Sequence, residues 1–491
     1  MKIALISLYD QDSLSIRRLH PVLEKNGFKV YSCFLKLAFN ITVRIPEVTE
    51  KEIGVLVSLL KENEPDMVGI SVMSTHFQLA AEISRRISGE MNTYIVWGGI
   101  HPTLCPEECL EFADIVCIGE GEEAIAELAE RLSKGINISD IKNLWIKKDD
   151  DIIKNSLRPL IRDLDRIPYT DFTDRNKYYI TDNRLCRRRP GVLSQYKVNT
   201  MRGCLFSCSY CSTSAVKGLY EKDEKYFSRR SVKSVIDELK LAKDKFKNLK
   251  DIRFFDDVFS IDKEWLKEFS DEYKKAIKLP FHCYLHPQAT DEEMICMLKE
   301  AGLSNVKIGI QSGSSYIKKE IFDRQESEED TVKLGKLLRK YKIPVVYDVI
   351  TDSPFENEED RRATLDLLLK LPKPYSMILR RLCFYNKAEI TRLALNTGLI
   401  TEEKIIGKNN SIVQQGISPL ELKEYGDKER MFWTSLYYLN GKRCVPNIII
   451  KCISRNGFIR RNPRILALLK EMMFRTYLFI SGRIFKKNNL P

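Results

Sequence analysis

Residues 200–214 read TMRGCLFSCSYCSTS, and this stretch decides how the chain is understood. It places Cys204, Cys208 and Cys211 in a C-x3-C-x2-C spacing directly after an apolar run typical of a strand. Gly203 gives the turn into this loop its room. Soft thiolate ligands favour iron-sulfur centres. Three thiolates on one tight loop can hold three irons of a 4Fe-4S cubane, so the fourth iron keeps an open position for a substrate or cofactor.

A structural zinc site is the alternative for the same cysteines, and a third possibility is that they are merely buried. Zinc prefers four ligands, often as two C-x2-C pairs. No second pair lies near residues 204–211. The spacing therefore favours the iron-sulfur cluster.

Short apolar runs separated by helix-length segments surround and follow the cysteines. Six strand candidates begin at Gln195, namely QYKVNTMRG, KDIRFFDD, LPFHCYLH, NVKIGIQSG, IPVVYDVI and SMILRRLCF. Six such units predict a partial (β/α)6 barrel, with its chemistry at the C-terminal ends of the strands.

The first 135 residues show a second α/β pattern. The apolar runs KIALISL, DMVGISVM, TYIVWGG and DIVCIGEGE alternate with amphipathic segments, which is typical of a doubly wound, Rossmann-like parallel sheet. Ligands of such sheets lie beyond the carboxyl ends of the strands. Those ends are expected at residues 71–75, 98–102 and 119–122, two of which are rich in glycine.

Four segments follow from these patterns. We expect the Rossmann-like domain at 1–135, a linker at 136–190, the barrel at 191–400 and a basic, mainly helical extension at 401–491. The linker interpretation rests on an acidic run, several prolines and the arginines at 187–189. The length of 491 residues is consistent with two or three domains.

Composition predicts a soluble, cytoplasmic protein. Hydrophobic residues make up 43% of the chain and charged residues 30%, and no signal peptide or 18-residue apolar run is apparent. Thirteen cysteines without a secretory signal indicate a reducing compartment, with metal or core roles for these residues.

Positive charge is concentrated at the C-terminal end. The net charge is +12, and residues 441–491 hold 12 Lys or Arg against one acidic residue. Apolar residues at helical spacing in this tail predict an interfacial helix on anionic lipid, a lid over the substrate, or a solvated helix packed on the barrel. The tail lacks a nucleic-acid-binding module, so no nucleic-acid partner is expected.

The cysteine loop resembles the signature of the radical S-adenosylmethionine (SAM) superfamily, and the similarity extends from about residue 195 to 400. The resemblance implies that the cluster cleaves SAM to methionine and a 5′-deoxyadenosyl radical, which abstracts hydrogen from the substrate. It also implies an electron donor such as flavodoxin or ferredoxin. GIQSGS resembles the family's ribose-contacting GIESG, and FFDD stands where the family contacts the methionyl amine, without the usual GGE. The implied SAM contacts are Tyr210 for adenine, Asp256 and Asp257 for the amine, Gln311 and Ser312 for ribose, and Arg324 for the carboxylate.

Residues 98–125, GGIHPTLCPEECLEFADIVCIGEGEEAI, resemble the cobalamin-binding domain fused to many radical SAM enzymes. The D-x-H-x-x-G motif of cobalamin mutases is absent, because Asp10 is followed by Gln11 and Asp12. The resemblance therefore implies cobalamin without a histidine axial ligand. It assigns Ser71 and Thr75 to the nucleotide tail, and Gly98, Gly99, His101, Gly119, Glu120, Gly121 and Glu122 to the loops facing the corrin.

The sequence leaves two interpretations open for several residues. His101 either makes a polar loop contact or binds a metal. A second iron-sulfur cluster, of the kind found in methylthiotransferases, is a hypothesis for Cys105, Cys109 and Cys117, although their spacing does not match that family. His286, at the end of the third barrel strand, either lines the active-site pocket or is a structural histidine.

Taken together, the resemblance implies a cobalamin-dependent radical SAM methyltransferase acting on an unactivated centre of a biosynthetic intermediate or lipid. A radical cyclase, a rearrangement enzyme or a methylthiotransferase-like enzyme is the first alternative. A non-catalytic cofactor-binding or sensing protein is the second.

Overall fold

The computed structural model describes residues 1–36, 47–221, 226–406 and 428–480. A mixed β-sheet and a parallel β-sheet, with helices against both, make up most of these residues, and four helices complete the C-terminal part. The architecture is therefore α/β, as the alternation of apolar runs predicts.

The first sheet has nine strands in the order β7-β6-β5-β4-β3-β1-β2-β8-β9. Neighbouring strands are parallel from β5 to β8 across the centre, whereas β6, β7 and β9 run antiparallel to their neighbours at the edges. The strands are β1 (Lys2–Leu8), β2 (Lys29–Leu35), β3 (Met67–Ser71), β4 (Tyr94–Gly98), β5 (Ile115–Cys117), β6 (Leu144–Lys148), β7 (Asp151–Lys154), β8 (Lys177–Thr181) and β9 (Arg184–Cys186).

Helices cover both faces of this sheet, and a separate apolar core lies on each face. These helices are α1 (Leu14–Lys25), α2 (Glu50–Asn63), α3 (Phe77–Glu90), α4 (Ile100–Leu104), α5 (Pro106–Cys109) and α6 (Glu122–Ser133). Local sequence sets their starts: Ser13 caps α1, and Thr49 forms a capping box with Glu52 at α2. The doubly wound sheet expected for the first 135 residues is thus present.

The segment expected to be a linker is different. Residues 136–190 contain β6, β7, β8 and β9, which extend the first sheet at both edges. The linker interpretation is wrong for these strands. Of these strands, β7 and β9 lie at the edges of the sheet and have mostly exposed or half-buried side chains, so they lack the apolar runs on which the sequence prediction depended.

The second sheet is a six-stranded parallel barrel segment in the order β10-β13-β14-β15-β16-β17. Its strands are β10 (Gln195–Val198), β13 (Asp251–Phe254), β14 (Phe281–Leu285), β15 (Leu303–Gln311), β16 (Val345–Thr351) and β17 (Ser376–Arg381), with short pairs β11 (Met201–Gly203) with β12 (Phe227–Arg229) and β18 (Phe384–Tyr385) with β19 (Ile405–Ile406). The helices are α7 (Ser212–Lys217), α8 (Val232–Lys245), α9 (Lys263–Ala276), α10 (Glu292–Ala301), α11 (Glu328–Lys340), α12 (Glu358–Lys370) and α13 (Glu389–Asn396). All six barrel strands fall on the predicted runs, which confirms the partial (β/α)6 barrel.

Four C-terminal helices follow, α14 (Lys428–Asn440), α15 (Asn447–Ser454), α16 (Gly457–Arg461) and α17 (Arg464–Ile480). Helix α14 packs on the barrel, where Phe432 and Leu436 join the barrel core and Tyr437 Oη donates to the Arg361 carbonyl at 2.8 Å. Among the described helices, none is long and apolar enough to cross a membrane. Residues 481–491 of the basic tail lie outside the described part of the chain.

Candidate functional site

The three cysteines lie on a loop between β11 and α7, at the C-terminal end of the barrel. Strand β11 pairs with β12, and Gly203 at its end has a φ of +80°. A Cβ atom at Gly203 would lie 2.2 Å from the Tyr226 carbonyl oxygen, so only glycine fits this turn. Beyond it, Cys211 precedes the first turn of α7, and its N–H donates to the Cys208 carbonyl at 3.0 Å. Cys204, Cys208 and Cys211 are thus brought onto one short loop.

Arg324 links the cysteine loop to the barrel. Its guanidinium donates to Tyr210 Oη at 3.0 Å and to the Gly309 carbonyl at 2.9 Å, and its Nη1 lies 3.9 Å from Cys208 Sγ. Glu326 accepts from Arg324 Nε at 2.6 Å. The resemblance implied that Arg324 binds the SAM carboxylate. Its contacts do not support that role, because its N–H groups donate to these protein groups.

His286 belongs to the same buried group. Its ring stacks on Phe206 at a centroid distance of 3.8 Å, and its Nε2 lies 3.2 Å from Arg324 Nη2. Burial, and then the Arg324 charge, lower the pKa of His286 to about 3. The structure therefore places His286 as a packed support for the cysteine loop, and this favours the structural interpretation over a pocket-lining one.

The thiols are poor acids in this setting. Burial raises the pKa of Cys204 to about 12, and burial also raises that of Cys208 although Arg324 opposes it. Buried thiols of this kind ionise when a metal binds them. A metal cluster bound here would supply the positive charge that ionises these thiols.

A cavity of about 150 Å³ lies beside the cysteine loop at the ends of β15, β16 and β17. Tyr210 and Gln311, two of the predicted SAM contacts, line it together with Asp348, Arg380 and Tyr385. Ser312 does not reach it, because that side chain is fully buried and its Oγ accepts from the Ser314 N–H at 3.2 Å. Ser312, the predicted ribose contact, therefore does not line the cavity that Tyr210 lines.

The two aspartates that end β13 point in opposite directions. Asp256 is buried and accepts from Thr200 N–H at 2.7 Å, Thr200 Oγ1 at 2.6 Å and Met201 N–H at 3.0 Å. It therefore holds the turn before the cysteine loop, and its predicted contact with a SAM amine is not supported. Asp257 faces a cavity, and burial followed by the Asp256 charge raises its pKa to about 6.

A second cavity, of about 360 Å³, runs into the first sheet from the carboxyl ends of its strands. Leu5, Ile16, Val96 and Ile125 line its apolar part, and Gly69 and Gly98 lie along its wall. Seven of the residues assigned to cobalamin line it as well: Ser71, Gly98, Gly99, Gly119, Glu120, Gly121 and Glu122. An apolar channel with glycine at the strand ends fits a long planar or nucleotide-bearing ligand.

Thr75 and His101 lie outside the lining of that cavity. Thr75 is buried in a short 3-10 turn at Ser74–His76. His101 is fully buried in α4, with Nδ1 3.1 Å from Ser74 Oγ and Nε2 3.2 Å from Glu108 Oε1. The expectation that His101 faces the corrin is wrong, since residues 100–104 form a helix and not the expected loop. Pro102 is tolerated there because it stands in the first turn.

The second-cluster hypothesis for Cys105, Cys109 and Cys117 is also wrong. Cys109 lies in the core on one face of the first sheet, and Cys117 lies in the core on the other face. Cys105 packs in a third cluster, against Val216. Side chains on opposite faces of a sheet cannot share one cluster.

Arg202 joins the cysteine loop to the first domain. Its Nη1 donates to Glu120 Oε1 at 2.7 Å, and its Nη2 donates to Glu122 Oε1. Burial acts to lower the pKa of Arg202, but the charges of Glu122 and Glu120 outweigh it and raise the pKa. Sequence reasoning missed Arg202. Its signal was its place two residues before Cys204, opposite a Gly-Glu-Gly-Glu loop expected at the strand ends.

A cavity of about 340 Å³ lies between the two domains at this bridge. Gly99, Thr103 and Gly119 line it from the first domain, and Asn199, Gly203 and Asp257 line it from the barrel. The carboxyl ends of both sheets therefore open into one space, and β11 and α7, which flank the cysteine loop, form part of its wall.

Two family models match the chain in the regions that form these sites. The B12 binding domain matches residues 4–129, and the Radical SAM superfamily matches residues 198–368. The chain therefore combines a B12-binding domain with a radical SAM domain. The three cysteines fall within the radical SAM match, and the 360 Å³ cavity is lined mainly from the B12-binding match.

Curated relatives include methyltransferases and cyclases. An uncharacterized methyltransferase of Pyrococcus horikoshii is 28% identical, covering 82% of this chain and 84% of the relative. An anaerobic magnesium-protoporphyrin IX monomethyl ester cyclase of Cereibacter sphaeroides is 25% identical, covering 61% of this chain and 47% of the cyclase. A cytidylyl-2-hydroxyethylphosphonate methyltransferase of Streptomyces wedmorensis is 26% identical, covering 58% and 57%. The chain thus spans most of the first relative and about half the length of the other two.

Two solved structures share the arrangement of both domains. The radical SAM methyltransferase TsrM of Kitasatospora setae, with cobalamin and a [4Fe-4S] cluster bound, superposes with a TM-score of 0.61 at 18% identity, over 95% of this chain and 99% of that chain. The cobalamin-dependent radical enzyme OxsB, with aqua-cobalamin bound, gives 0.64 at 15% identity, over 98% and 75%. At these identities the likeness shows the fold of the radical SAM and B12-binding domains.

Proposed function

We propose that this chain is a cobalamin-dependent radical SAM methyltransferase acting on an unactivated carbon or phosphorus centre of a small molecule. The observation that carries the proposal is the cavity of about 340 Å³ between the domains, which is lined by β11 and α7, the two elements that flank the cysteine loop, and by the strand ends of the B12-binding domain. Methyl transfer between cofactors needs such a common space, because the reacting groups must meet with water excluded.

The residues of the chain fit the three cofactors. Cys204, Cys208 and Cys211 would hold a 4Fe-4S cluster, and the channel between Leu5 and Ile125 would take the nucleotide tail of cobalamin. Tyr210 and Gln311 would hold SAM beside the cluster. When bound, these groups supply a one-electron reductant, a source of 5′-deoxyadenosyl radical and a methyl carrier.

The chain itself contributes position and polarity. Arg324 fixes the cysteine loop through Tyr210 and the Gly309 carbonyl. Arg202 fixes the same loop relative to Glu120 and Glu122 of the B12-binding domain. Asp257, with a pKa of about 6, is placed in the shared cavity where it could accept or return a proton.

The named relatives support methyl transfer, and one of them supports an alternative reaction, cyclisation. Two of those described above are methyltransferases, whereas the Cereibacter sphaeroides relative is a cyclase. A radical cyclase or rearrangement enzyme with the same cofactors is therefore the second candidate function. The two differ in products: a methyltransferase yields S-adenosylhomocysteine as well as 5′-deoxyadenosine.

The test is anaerobic reconstitution with iron, sulfide and hydroxocobalamin, followed by reduction in the presence of SAM and candidate small molecules. We expect one S-adenosylhomocysteine and one 5′-deoxyadenosine per methylated product. Flavodoxin or ferredoxin should replace the chemical reductant as electron donor. Formation of 5′-deoxyadenosine with substrate turnover but without S-adenosylhomocysteine would favour the cyclase. Reconstituted protein that forms neither product would favour a non-catalytic cofactor-binding or sensing role.

We further propose that the C-terminal helices touch an anionic membrane surface. One stripe of α17 is buried, whereas Ile465, Leu468 and Met472 on the opposite stripe are exposed, Met472 by 64%. Phe458 in α16 is exposed by 68%, and Ile448 in α15 by 66%. The exposed basic residues Lys451, Arg455, Arg461 and Arg464 lie among them. Exposed apolar groups within a basic rim are the pattern of an interfacial helix.

Flotation with lipid vesicles tests this contact. The full-length protein should float with vesicles containing phosphatidylglycerol, and less with phosphatidylcholine alone. The double substitution Phe458→Ser and Leu468→Ser should abolish flotation, whereas Leu241→Ser, at an exposed leucine of α8, should not. Equal recovery of all three proteins in the unfloated fraction would exclude a membrane contact through these helices.

A further inference from the structure

The inner face of the barrel carries a row of basic side chains. Along each barrel strand, residues buried against the helices alternate with residues that face the lumen. The basic residues in lumen positions are Lys197 on β10, Arg253 on β13, Lys307 on β15 and Arg380 on β17. Such a row is unusual in a barrel interior, which is ordinarily filled with apolar side chains.

Asp348 on β16 is a carboxylate on the same face as this row. It lies 2.9 Å from Lys307 Nζ, and it accepts from Arg380 Nε at 3.0 Å. One carboxylate therefore serves two cations. Burial lowers the pKa of Lys307, Asp348 opposes this, and the charges of Arg380 and Arg253 lower it further. Lys307 thus sits in an environment that has an excess of positive charge.

Arg253 has no carboxylate partner in the part of the chain that the structure describes. Its contacts are Gln195 Oε1, at 3.5 Å from Nη1, and the ring of Phe255, at 5.5 Å. Asp251, two residues earlier, accepts instead from Gln195 Nε2 at 2.5 Å and lies 3.5 Å from His282 Nε2. Lys197, opposite Arg253 in the register, is paired with Asp12 of the B12-binding domain at 3.1 Å.

The unpaired charge needs an explanation, because a partly buried cation is costly unless an anion neutralises it. A guanidinium also offers a fork of donors that matches two oxygens of a phosphate or carboxylate. The lumen leads to the C-terminal strand ends, where Asp348 and Arg380 line the cavity shared with Tyr210 and Gln311. An anion in the lumen would therefore lie next to the predicted SAM site.

We propose that Arg253 and Lys307 bind an oxyanion of the substrate, a phosphate, phosphonate or carboxylate group, inside the barrel. This inference rests on the proposed function, since it takes the barrel to be the substrate site. It narrows the substrate class to anionic small molecules, whose reactive carbon or phosphorus centre is held above the anion by the Arg253 and Lys307 contacts.

Calorimetric titration of the reconstituted holoprotein tests the site with methylphosphonate, acetate and neutral acetamide as probes. Ionic strength is held constant with chloride, and saturating SAM is present without reductant. We expect saturable binding of at least one anion and none of acetamide. Arg253→Gln and Lys307→Gln should each weaken that binding about tenfold or more, as expected when a charge-assisted hydrogen bond is lost. Arg253→Lys should restore part of it, and Arg339→Gln, at an exposed arginine of α11, should leave it unchanged.

Three outcomes would overturn the proposal: no saturable anion binding, binding that Arg253→Gln and Lys307→Gln leave unchanged, or binding seen without SAM and abolished by it. The last would mean that these cations hold the carboxylate of SAM itself. A preference for methylphosphonate over acetate would assign the site to phosphoryl groups, and the reverse to carboxylates. Because the titration requires no turnover, its failure is distinct from a failure of the enzyme to form 5′-deoxyadenosine.

Discussion

His20 is fully buried between α1 and the first sheet, with Nδ1 2.8 Å from Ser32 Oγ. Burial, and then the charge of Lys177, lower its pKa to about 3. The folded protein therefore keeps His20 neutral, whereas an unfolded chain takes up a proton below about pH 6.5. The unfolded state then binds more protons, so the stabilising contribution of neutral His20 is present above pH 6.5 and is lost as pH falls towards 3.

The first prediction concerns His20→Asn, which keeps a polar atom near Ser32. Between pH 7.5 and 5.5 the wild-type protein should lose about 1 kcal/mol of stability through this histidine alone. The melting temperature of the variant should fall less over the same range. His76, with a pKa of about 4, contributes separately, so some pH dependence will remain. Identical pH profiles for the variant and the wild type would contradict this account.

Single side chains were the hardest features to predict from the sequence. The strand-end motif placed Asp256 and Asp257 together, but backbone alternation turns Asp256 into the Thr200 turn and leaves Asp257 in the cavity. In the same way, the family resemblance singled out Arg324 without revealing that Tyr210 and Glu326 engage it. A motif fixes a position, whereas contacts depend on the elements that pack around it.

At the scale of elements, the β11–β12 ribbon sets the course of the cysteine loop. Gly203 allows the ribbon to turn because its φ is +80° and the Tyr226 carbonyl oxygen stands where a side chain would be. We predict that Gly203→Ala displaces the loop and prevents stable iron incorporation. The measurement is the iron content and the absorbance near 400 nm, roughly where iron-sulfur clusters absorb, after reconstitution.

Gly191→Ala is the matched control, since Gly191 also has a positive φ, of +83°, with nothing within 4 Å of a Cβ atom. It should bear the cost of a left-handed alanine, about 1 kcal/mol, and retain the cluster. If both variants lost the cluster equally, backbone strain and not the clash with Tyr226 would be responsible.

Elements were predictable where an apolar run and a helix-length spacing occurred together. All six barrel strands and four of the central strands of the first sheet met that condition. β7 and β9 did not, because they are edge strands with exposed or half-buried side chains. The segment expected to be a loop at His101 is a helix, and Pro102 is compatible with it because a proline in the first turn removes no hydrogen bond.

At the scale of the whole molecule, Arg202 connects the two cofactor domains. Glu120 also accepts from the Ile161 N–H at 2.6 Å, so the bridge extends into the segment between the domains. Burial acts to raise the pKa of Glu122, but the Arg202 charge outweighs it and lowers the pKa. The apolar pattern of each domain predicts its own strands and helices, but it does not indicate which of its loops contacts the other domain. The sequence therefore did not predict this bridge.

We predict that Arg202→Gln weakens the coupling between the domains while leaving each of them folded. The ion pair is partly buried, and removing Arg202 leaves Glu122 without this cation, at a cost of about 1 to 3 kcal/mol. Cobalamin affinity, measured by the corrinoid spectrum at equilibrium, should fall, and S-adenosylhomocysteine formation should fall with it. The control is Arg131→Gln on α6, which breaks ion pairs with Glu127 and Asp140 that do not involve the barrel. Equal effects of both substitutions would argue against a specific role for the bridge.

The central claim is that Cys204, Cys208 and Cys211 hold a cluster that cleaves SAM. The most direct measurement compares Cys208→Ala with Cys444→Ala, at an exposed cysteine of the C-terminal region, after identical anaerobic reconstitution. The account predicts that Cys208→Ala loses the iron-sulfur absorbance and forms no 5′-deoxyadenosine under reduction, whereas Cys444→Ala retains both. A Cys208→Ala protein that kept the chromophore and still released 5′-deoxyadenosine would contradict it.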